Sequence, residues 1–459
     1  IYEVNILKYI GPFLRLNSLT VDNIEKQLLF FSRESFKHIV LQSNCGIRTS
    51  IQELKLKKIP NFDINIFKRN SPLLCIYKKA NPKLEKNGWD EESFKKEILA
   101  GSNAYMNLML TDCAHYYKTF ENIDVNLFAL SKLYSQLSIK QLDFFSSNLR
   151  SSEGVFIDKK DCSNDLTGEL KLEDKSSKFK FSEQALFMAA YYKASLLADS
   201  DDAVAYRDFS LDILNMFIDY KDEIYNLSFD ELNNLCFAFN IFYEASKNED
   251  AMHILFDLFD LLEEKYNHWD SEKINDKLQS LCLLNINFLC GYKNLSLLKY
   301  KDLANEIYQT LNSFYDSELG IFIKKSEKKT IDFSAEEIVL YTLCQVLMTK
   351  LNPEESQKIL TEVYKRQLIN SGLVLSWPDS PSLDSAERYR NFSNKAEDLL
   401  DESYFRMPSI STPEINELAP IFVKSISYNK KKDTFEASKN SFYSSKNIPL
   451  LYTIHYLLK

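Results

Sequence analysis

An acid-rich stretch in the last quarter of the chain carries residue types that cleave glycosidic bonds. Three carboxylates, Asp379, Asp384 and Glu387, lie within SWPDSPSLDSAERY (376–389). Glycosidic cleavage uses two carboxyl groups, one as an acid and the other as a base or nucleophile. These three residues are therefore predicted as catalytic candidates.

Tryptophan occurs three times, and each copy has a carboxylate within two residues. Trp89 precedes Asp90 in NGWDEE, and Trp269 precedes Asp270 in NHWDSE. Aromatic faces can stack on sugar rings, and carboxylates accept hydroxyl hydrogens. A second interpretation stays open, because Asp at a helix N-cap after an apolar N′ residue has the same sequence. The predicted substrate-binding residues are Trp377, Arg388, Tyr389, Trp269, Asp270 and Trp89.

Two further carboxylate sites follow a Phe-Ser dipeptide. Glu183 stands in FSEQ, and Glu336 and Glu337 stand in FSAEE; an apolar helical pattern follows both. We predict Glu183 and Glu337 as additional catalytic carboxylates. The alternative is that acidic side chains in the first turn simply interact favourably with the helix dipole.

Composition excludes several functional classes. The formal net charge is −9 and no long basic run occurs, so nucleic acid is not predicted as a partner. The five histidines form no HxH, HExxH or Cys/His cluster, so no metal site is predicted. No phosphate-binding glycine loop occurs, and no cofactor is predicted.

The cysteine and hydropathy patterns bear on the compartment. Eight scattered cysteines without a CxxC motif favour free thiols and a cytoplasmic location. The chain starts at Ile1 rather than Met, so a secreted or cell-surface location stays open. No apolar run reaches the roughly 18 residues that a membrane span requires.

Helical periodicity dominates from about residue 86 onward. Apolar residues recur at spacings of three and four, as in Leu303, Ile307, Leu311 and Phe314. Helices are predicted near 92–118, 203–225 and 333–350, among others, with a last one at the C-terminal end. Residues 1–85 are less regular and predict a small N-terminal α or α/β appendage, whereas 86–459 predict a domain of helical hairpins.

Three of the nine glycines share one setting. Gly154, Gly320 and Gly372 each follow a predicted helix and precede an apolar triplet. Glycine just past a helix adopts the left-handed conformation that other residues resist, so each copy predicts a helix end and a short extended segment. The 52-residue spacing between Gly320 and Gly372 suits one helical hairpin with its loops.

Hairpins of this length, with Gly-x-Phe turns as in EGVF and LGIF, resemble the six-hairpin (α/α)6 toroids of glycoside hydrolases, polysaccharide lyases and sugar epimerases. The resemblance covers about residues 90–459 and implies a mainly α fold, an (α/α)6 or (α/α)7 toroid with short strands in its loops. It also implies a functional rim at the N-terminal ends of the inner helices. An open α-solenoid would give a similar pattern.

Two functions from different classes follow from these patterns. The first is a carbohydrate-active protein, a glycoside hydrolase or lyase that uses the rim carboxylates on an oligosaccharide. The second is a non-catalytic helical scaffold that binds a protein or glycan partner. The sequence contains no acid–base motif that decides between an enzyme and a scaffold.

Overall fold

A computed structural model describes most of the chain. The described residues are 9–10, 13–16, 20–54, 56, 67, 70–84, 88–164, 169–198, 200–352, 357–379, 386–389, 406–408 and 416–459.

Twelve helices within the described residues form six hairpins. The outer helices are α1 (Val21–Gln42), α3 (Val125–Asn148), α5 (Ser200–Asp219), α7 (Glu249–Asn267), α9 (Leu298–Asn312) and α11 (Gln357–Val363), which continues as a π-helical turn, Tyr364–Ile369. The inner helices are α2 (Ala100–Lys118), α4 (Phe181–Ser195), α6 (Phe229–Ser246), α8 (Leu278–Leu295), α10 (Ala335–Leu351) and α12 (Ser444–Leu458). Shorter helical segments are Ile51–Leu54, Lys221–Tyr225, Ser271–Asp276 and Ala386–Tyr389.

The two helix sets differ in their apolar pattern. Outer helix α9 buries one stripe, represented by Tyr300, Ala304, Ile307 and Leu311. Inner helix α10 is buried almost all round. A helix with a single apolar stripe covers a core, whereas one that is apolar all round lies inside it. The difference explains why the even-numbered helices occupy the interior of the barrel.

The inner helices close into a ring. Each one packs against two others, in the order α12, α2, α4, α6, α8, α10 and back to α12. The N-terminal helix α1 packs against α12 and so completes the sixth hairpin from the other end of the chain. The predicted six-hairpin toroid is therefore confirmed, and an open solenoid is excluded by the closed ring. The division into domains at residue 85 remains a proposal; α1 lies on its N-terminal side.

The predicted left-handed conformation is present at all three glycines, with φ of +89° at Gly154, +61° at Gly320 and +80° at Gly372. The predicted helix ends at the first two are wrong, because α3 ends at Asn148 and α9 at Asn312, each with a right-handed C-cap residue. Gly154 and Gly320 lie in the turns that follow, where the chain enters its short extended segments. The Gly-x-Phe turns are held by a buried amide side chain. The side-chain amide of Gln184 accepts from the Phe156 N–H at 2.9 Å and donates to the Phe156 carbonyl at 2.8 Å. Gln367 likewise accepts from the Phe322 N–H at 2.8 Å and donates to its carbonyl at 3.0 Å. These paired bonds satisfy a buried backbone segment that has no strand partner on that side.

Short strands fill the connections that run from an outer to an inner helix. A six-stranded sheet contains Gly46–Arg48, Leu73–Pro82, Trp89–Ile98, Lys159–Asp161, Leu172–Asp174 and Phe442–Tyr443. A three-stranded antiparallel sheet contains Thr330–Ser334, Ser425–Asn429 and Thr434–Ala437. The remaining strands are Tyr315–Asp316 paired with Ile321–Phe322, and Tyr9–Ile10, Phe13–Leu16 and Arg406–Pro408. The helix predicted near 92–118 begins only at Ala100, because 89–98 pairs as a strand with 73–82.

Aromatic side chains fill the barrel axis. Phe237 of α6 contacts Tyr456 of α12 from the opposite side of the ring, with ring centroids 5.8 Å apart. Tyr452 stacks on Tyr456 at 5.7 Å, and Tyr105 of α2 contacts Tyr452 at 5.5 Å. These rings separate the two ends of the barrel, whose polar residues therefore form two distinct sets. The described helices include none with the length and apolar character needed to cross a membrane.

Candidate functional site

The N-terminal ends of the inner helices, named here the capped end, contain two of the predicted carboxylates. Glu337 forms a capping box: its backbone N–H donates to Ser334 Oγ at 3.1 Å, and its Oε2 accepts from the Ser334 N–H at 2.8 Å. Lys324 Nζ lies 3.0 Å from Glu337 Oε1. Glu337 therefore stabilises the start of α10, as the alternative interpretation of the sequence predicted. Its catalytic role remains a prediction.

Glu183 occupies the equivalent position on α4. Lys180 Nζ donates to its Oε1 at 3.0 Å. Burial raises the pKa of the Glu183 carboxyl, although Lys180 acts in the opposite direction. Since α4 and α10 stand on opposite sides of the ring, Glu183 and Glu337 belong to opposite sides of the capped end. Glu336 beside Glu337 pairs with Lys446 of α12.

The three tryptophans pack against protein side chains. Trp89 is buried and donates from Nε1 to His38 Nε2 at 3.0 Å. Trp377 is buried against Phe31, with ring centroids 4.9 Å apart. Trp269 is half-buried against Phe229 at 4.4 Å. These contacts favour core packing, and the predicted sugar-stacking role of the three rings remains a prediction.

The two aspartates that follow tryptophan have different roles. Asp270 caps the short helix Ser271–Asp276, where its Oδ1 accepts from the Lys273 N–H at 2.8 Å. Asp90 lies inside the strand Trp89–Ile98 and is 3.6 Å from Lys83 Nζ. The N-cap interpretation is therefore confirmed for Asp270 and wrong for Asp90, because the chain around Asp90 pairs as a sheet before the next helix begins.

The structure describes only part of the acid-rich stretch, and its carboxylates differ in exposure. Asp379 is exposed, and Asp384 and the side chains of Arg388 and Tyr389 lie outside the described residues. Glu387 is buried: its Oε1 accepts from Arg33 Nε at 3.2 Å, from Arg33 Nη2 at 3.0 Å and from the Tyr116 hydroxyl at 3.0 Å. The Arg33 guanidinium also lies over the Tyr116 ring, 4.0 Å from its centroid.

Tyr116 connects this glutamate to a cavity of about 340 Å³ at the opposite end of the barrel from the capped end. The cavity lies between the C-terminal parts of α2, α4, α6 and α12, and we name this region the cavity end. It is lined by Asp112, His115, Tyr116, Lys193, Ile241, Glu244, Ala245, His455 and Lys459.

One buried carboxylate and two lysines form the charged part of the cavity. Asp112 is only 4% exposed, and it pairs through Oδ1 with Lys193 and through Oδ2 with Lys459 Nζ at 2.7 Å. Burial alone would raise the pKa of Asp112, but Lys193 and Lys459 outweigh it and hold that pKa below its ordinary value. Asp112 is therefore ionised at neutral pH.

The two lysines differ in exposure. Lys193 is 7% exposed, whereas Lys459 is exposed at the surface. Burial lowers the pKa of Lys193 to about 8, against the attraction of Asp112 and assisted by the positive charge of Lys459. Its Nζ lies 6.0 Å from the centroid of the Tyr452 ring. Lys193 is thus a buried amine that changes protonation close to physiological pH.

His455 supplies a neutral polar group to the same cavity. Its side chain is 1% exposed, and neither ring nitrogen has a hydrogen-bond partner among the described residues. Burial lowers the pKa of His455 to about 3, so the imidazole is neutral at pH 7. A neutral imidazole has one donor and one acceptor nitrogen, and both remain available to a ligand. Such buried groups without partners call for an explanation in a folded protein.

Sequence reasoning missed this site for a physical reason. It placed the functional rim at the inner-helix N-termini, whereas the cavity lined by His455 lies at the C-terminal ends of these helices. The signal that was available is a lone charge in an apolar helix, such as Asp112 in LMLTDCAHYY and Lys193 in MAAYYKASLL. Charged residues are almost never fully buried unless they are paired, so each implied an unseen partner.

No protein-family model matches the chain, and no curated protein matches it. Among solved structures, D-mannose isomerase matches with a TM-score of 0.51 at 8% identity, covering 96% of this chain and 100% of that chain. The endoglucanase from the termite Nasutitermes takasagoensis gives 0.48 at 13% identity, with 95% and 98% covered. The cellulase Cel9M of C. cellulolyticium in complex with cellobiose gives 0.49 at 10% identity, with 96% and 99% covered.

The first of these matches extends over nearly the whole of both chains, and at 8% identity it bears on the fold alone. It agrees with the closed ring of inner helices and with the outer helices packed around it. The chain is an (α/α)6 toroid, similar in fold to D-mannose isomerase.

Proposed function

We propose that this protein is carbohydrate-active and that a neutral sugar binds in the cavity at the cavity end. The observation that carries the proposal is a cavity of about 340 Å³ lined by His455, whose two buried ring nitrogens have no hydrogen-bond partner among the described residues. Small-molecule sites of about 300–1,000 Å³ are typical of proteins, so this one suits a ligand of one or two sugar rings.

The balance of charge favours an uncharged ligand. Two ammonium groups, Lys193 and Lys459, face the carboxylate of Asp112, and Glu244 contributes a second carboxylate. A phosphate or carboxylate ligand would have to compete with Asp112 for the same lysines. A neutral ligand leaves these pairs intact, and it avoids the cost of burying a further charge.

Hydrogen-bonding capacity also favours a hydroxyl-rich ligand. A sugar hydroxyl both donates and accepts, as does the neutral imidazole of His455. The Tyr116 hydroxyl already donates to Glu387, which fixes its direction at the edge of the cavity. D-mannose isomerase, which shares the fold, is named for a sugar, and this supports a carbohydrate as the ligand class.

Calorimetric titration tests this binding proposal. Neutral hexoses and short neutral oligosaccharides serve as ligands, and a hexose phosphate and a hexuronate serve as charged comparators. We expect the neutral sugars to bind more tightly. We also expect H455L to weaken their binding about tenfold, since one lost hydrogen bond to a buried group is worth about 1–1.5 kcal/mol. Tightest binding by the charged sugars, or unchanged binding by H455L, would overturn the proposal.

A glycoside hydrolase or lyase that acts through rim carboxylates is the second candidate. It is favoured by the position of Glu183 and Glu337 on opposite sides of the ring and by the raised pKa of Glu183, which suits a general acid. The test is reducing-sugar release by E183Q and E337Q, with D379N, D384N and E387Q measured in parallel. Wild-type rates in all five variants would remove these carboxylates as the catalytic set.

A non-catalytic scaffold is the remaining alternative. It predicts that neutral sugars neither bind in the cavity nor undergo reaction, while a protein or glycan partner binds elsewhere on the surface. The titration separates it from the first proposal, because any heat that a scaffold of this kind gives with a sugar comes from a surface site and does not change in H455L.

A further inference from the structure

We infer that the Lys193 amine is a nucleophile that captures the carbonyl carbon of an open-chain sugar as an imine. The inference rests on the proposed function, since it requires the cavity to admit a hydroxylated ligand. The geometry behind it is a buried amine on the wall of a cavity, a carboxylate shared with a second lysine, and an imidazole without a protein partner.

The carboxylate of Asp112 is shared between Lys193 and Lys459. Asp112 carries one negative charge and contacts two ammonium groups, so these three side chains together carry a net charge of +1. Lys459 is solvated and Lys193 is buried, and burial penalises the charged form of an amine. Lys193 is therefore the one that loses its proton first. Asp112 remains paired after that loss, because Lys459 Nζ stays 2.7 Å from its Oδ2.

The surroundings of Lys193 set how easily the proton leaves. The titratable groups that act on it are Asp112 and His115 on α2, Glu244 on α6, and Lys459 and His455 around α12. Glu244 has its own partner, since Lys293 Nζ donates to its Oε1 at 2.9 Å. A pKa of about 8, against 10.5 for an ordinary lysine, gives roughly 300-fold more free amine at neutral pH. Desolvated lysines beside another cation are the ones that attack carbonyl carbons.

The reaction balances without a further reagent. The free amine of Lys193 attacks the carbonyl carbon, the nitrogen passes one of its own protons to the former C=O oxygen, and a neutral carbinolamine forms. The hydroxyl then leaves as water with a second proton, and the nitrogen lone pair forms the C=N bond of a protonated imine. Overall, one ammonium group and one aldehyde give one iminium ion and one water. His455 faces the same cavity and can carry the proton between nitrogen and oxygen.

Borohydride trapping of the full chain tests the inference, with D-glyceraldehyde as the probe because this small neutral hydroxyaldehyde cannot close into a ring. Borohydride reduces the iminium ion to a stable secondary amine, which peptide mapping locates. We expect Lys193 to be labelled at least about tenfold faster than Lys446, a half-buried lysine paired with Glu336 at the capped end. Labelling of Lys193 no faster than of Lys446 would overturn the inference.

Three variants sharpen the experiment. In K193R the labelling of that peptide should disappear, while K446R should leave Lys193 labelling unchanged. K459Q removes the neighbouring positive charge, so the pH midpoint of Lys193 labelling should move upward and the rate at pH 7.5 should fall several-fold. An unmoved midpoint in K459Q contradicts the role of the second lysine. Mapping the unsubstituted chain decides the matter even if K193R fails to fold.

The imine proposal can fail while the proposed sugar-binding function stands, and the two failures give different results. A sugar that binds calorimetrically but leaves no trapped adduct on Lys193 refutes the imine alone. A methyl glycoside, which has no free aldehyde, separates the two further: it should bind the cavity but should never be trapped. If neither sugar nor methyl glycoside binds, the proposed function fails first.

Discussion

The charged groups at the two ends of the barrel have opposite kinds of surroundings. At the capped end, Glu337 is held by Ser334 and Lys324, and Glu183 by Lys180. At the cavity end, Asp112 and Lys193 are paired with each other but face open space, and His455 has no partner among the described residues. The capped end uses its polar groups to begin helices, whereas the cavity end keeps polar groups available.

The helix dipole accounts for part of the difference. Carboxylates are favoured at helix N-termini and cations at C-termini. Glu183 and Glu337 follow this rule at the capped end, and Lys193 and Lys459 follow it at the cavity end. Asp112 lies in the second half of α2, away from the N-terminal turn where the dipole favours a carboxylate. A buried carboxylate without support from the helix dipole needs the two lysines as charge partners. Helix formation alone therefore does not explain why Asp112 is present at the cavity end.

The largest expected effect comes from removing that carboxylate. D112N leaves the buried Lys193 cation without its charge partner, and breaking a buried pair in this way typically costs about 3–5 kcal/mol of unfolding free energy. Urea denaturation at pH 6 measures the loss. The cost should shrink at pH 9, since the neutral form of Lys193 needs no counter-ion. D260N, which breaks the exposed pair with Lys299, should cost less than about 1 kcal/mol. Equal losses in the two variants would remove the distinction between buried and surface pairs.

The next largest effect is acid sensitivity from His455. Its pKa is about 3 in the folded protein, well below that of an exposed histidine, so between these values the unfolded chain binds a proton that the native chain does not. Stability therefore falls as the pH drops through this window, by at most about 1.4 kcal/mol per unit. H455L lacks this loss, and its stability relative to wild type should improve by about 2–3 kcal/mol between pH 7.5 and 4.5.

Thermal or urea denaturation across pH measures the relative stability of H455L. H268Q is the matched control, because His268 is exposed at the end of α7 and its replacement removes no buried imidazole. If H455L and wild type show parallel pH profiles, then His455 is not held neutral by burial, and its role in the cavity must be revised.

A smaller effect is expected at Glu387, which links the acid-rich stretch to the cavity. E387Q keeps an acceptor for Tyr116 but removes the negative charge beside the buried Arg33 guanidinium, and we expect a loss of about 2 kcal/mol. D379N, on the same stretch but exposed, should stay within about 0.5 kcal/mol of wild type. Equilibrium unfolding supplies both numbers. If Glu387 is catalytic as the sequence predicts, E387Q also loses activity under conditions where it is fully folded.

The smallest effect is expected at the capped end. S334A removes the hydroxyl that accepts from the Glu337 N–H, and the loss of such a cap costs about 1 kcal/mol. S334T retains the hydroxyl and should lose much less. Neither change should alter sugar binding, because the capped end is separated from the cavity by the aromatic residues of the barrel axis. Weakened sugar binding in S334A would show that the two ends are coupled.

Several local features were predictable from sequence because each depends on neighbours along the chain. Helical periodicity identified the hairpins, Gly320 identified a left-handed turn, and FSAEE identified the start of α10. The Asp90 N-cap was mispredicted because strand pairing between distant residues outweighed a local signal, and the pairing partner Asn81 lies across a hairpin. The role of the tryptophans could not be predicted, since aromatic residues look alike in a core and in a sugar site.

The sequence by itself determined that this chain forms repeated helical hairpins, with left-handed glycines in loops after outer helices and acidic residues in the first turns of α4 and α10. Only the tertiary structure decided that α1 and α12 close the ring and that Asp112, Lys193 and His455 meet at one cavity. The reason is physical: a cap or a helix stripe is set by residues within a turn or two. A buried ion pair forms between side chains whose separation along the chain carries no period, and it exists only once the inner helices have packed.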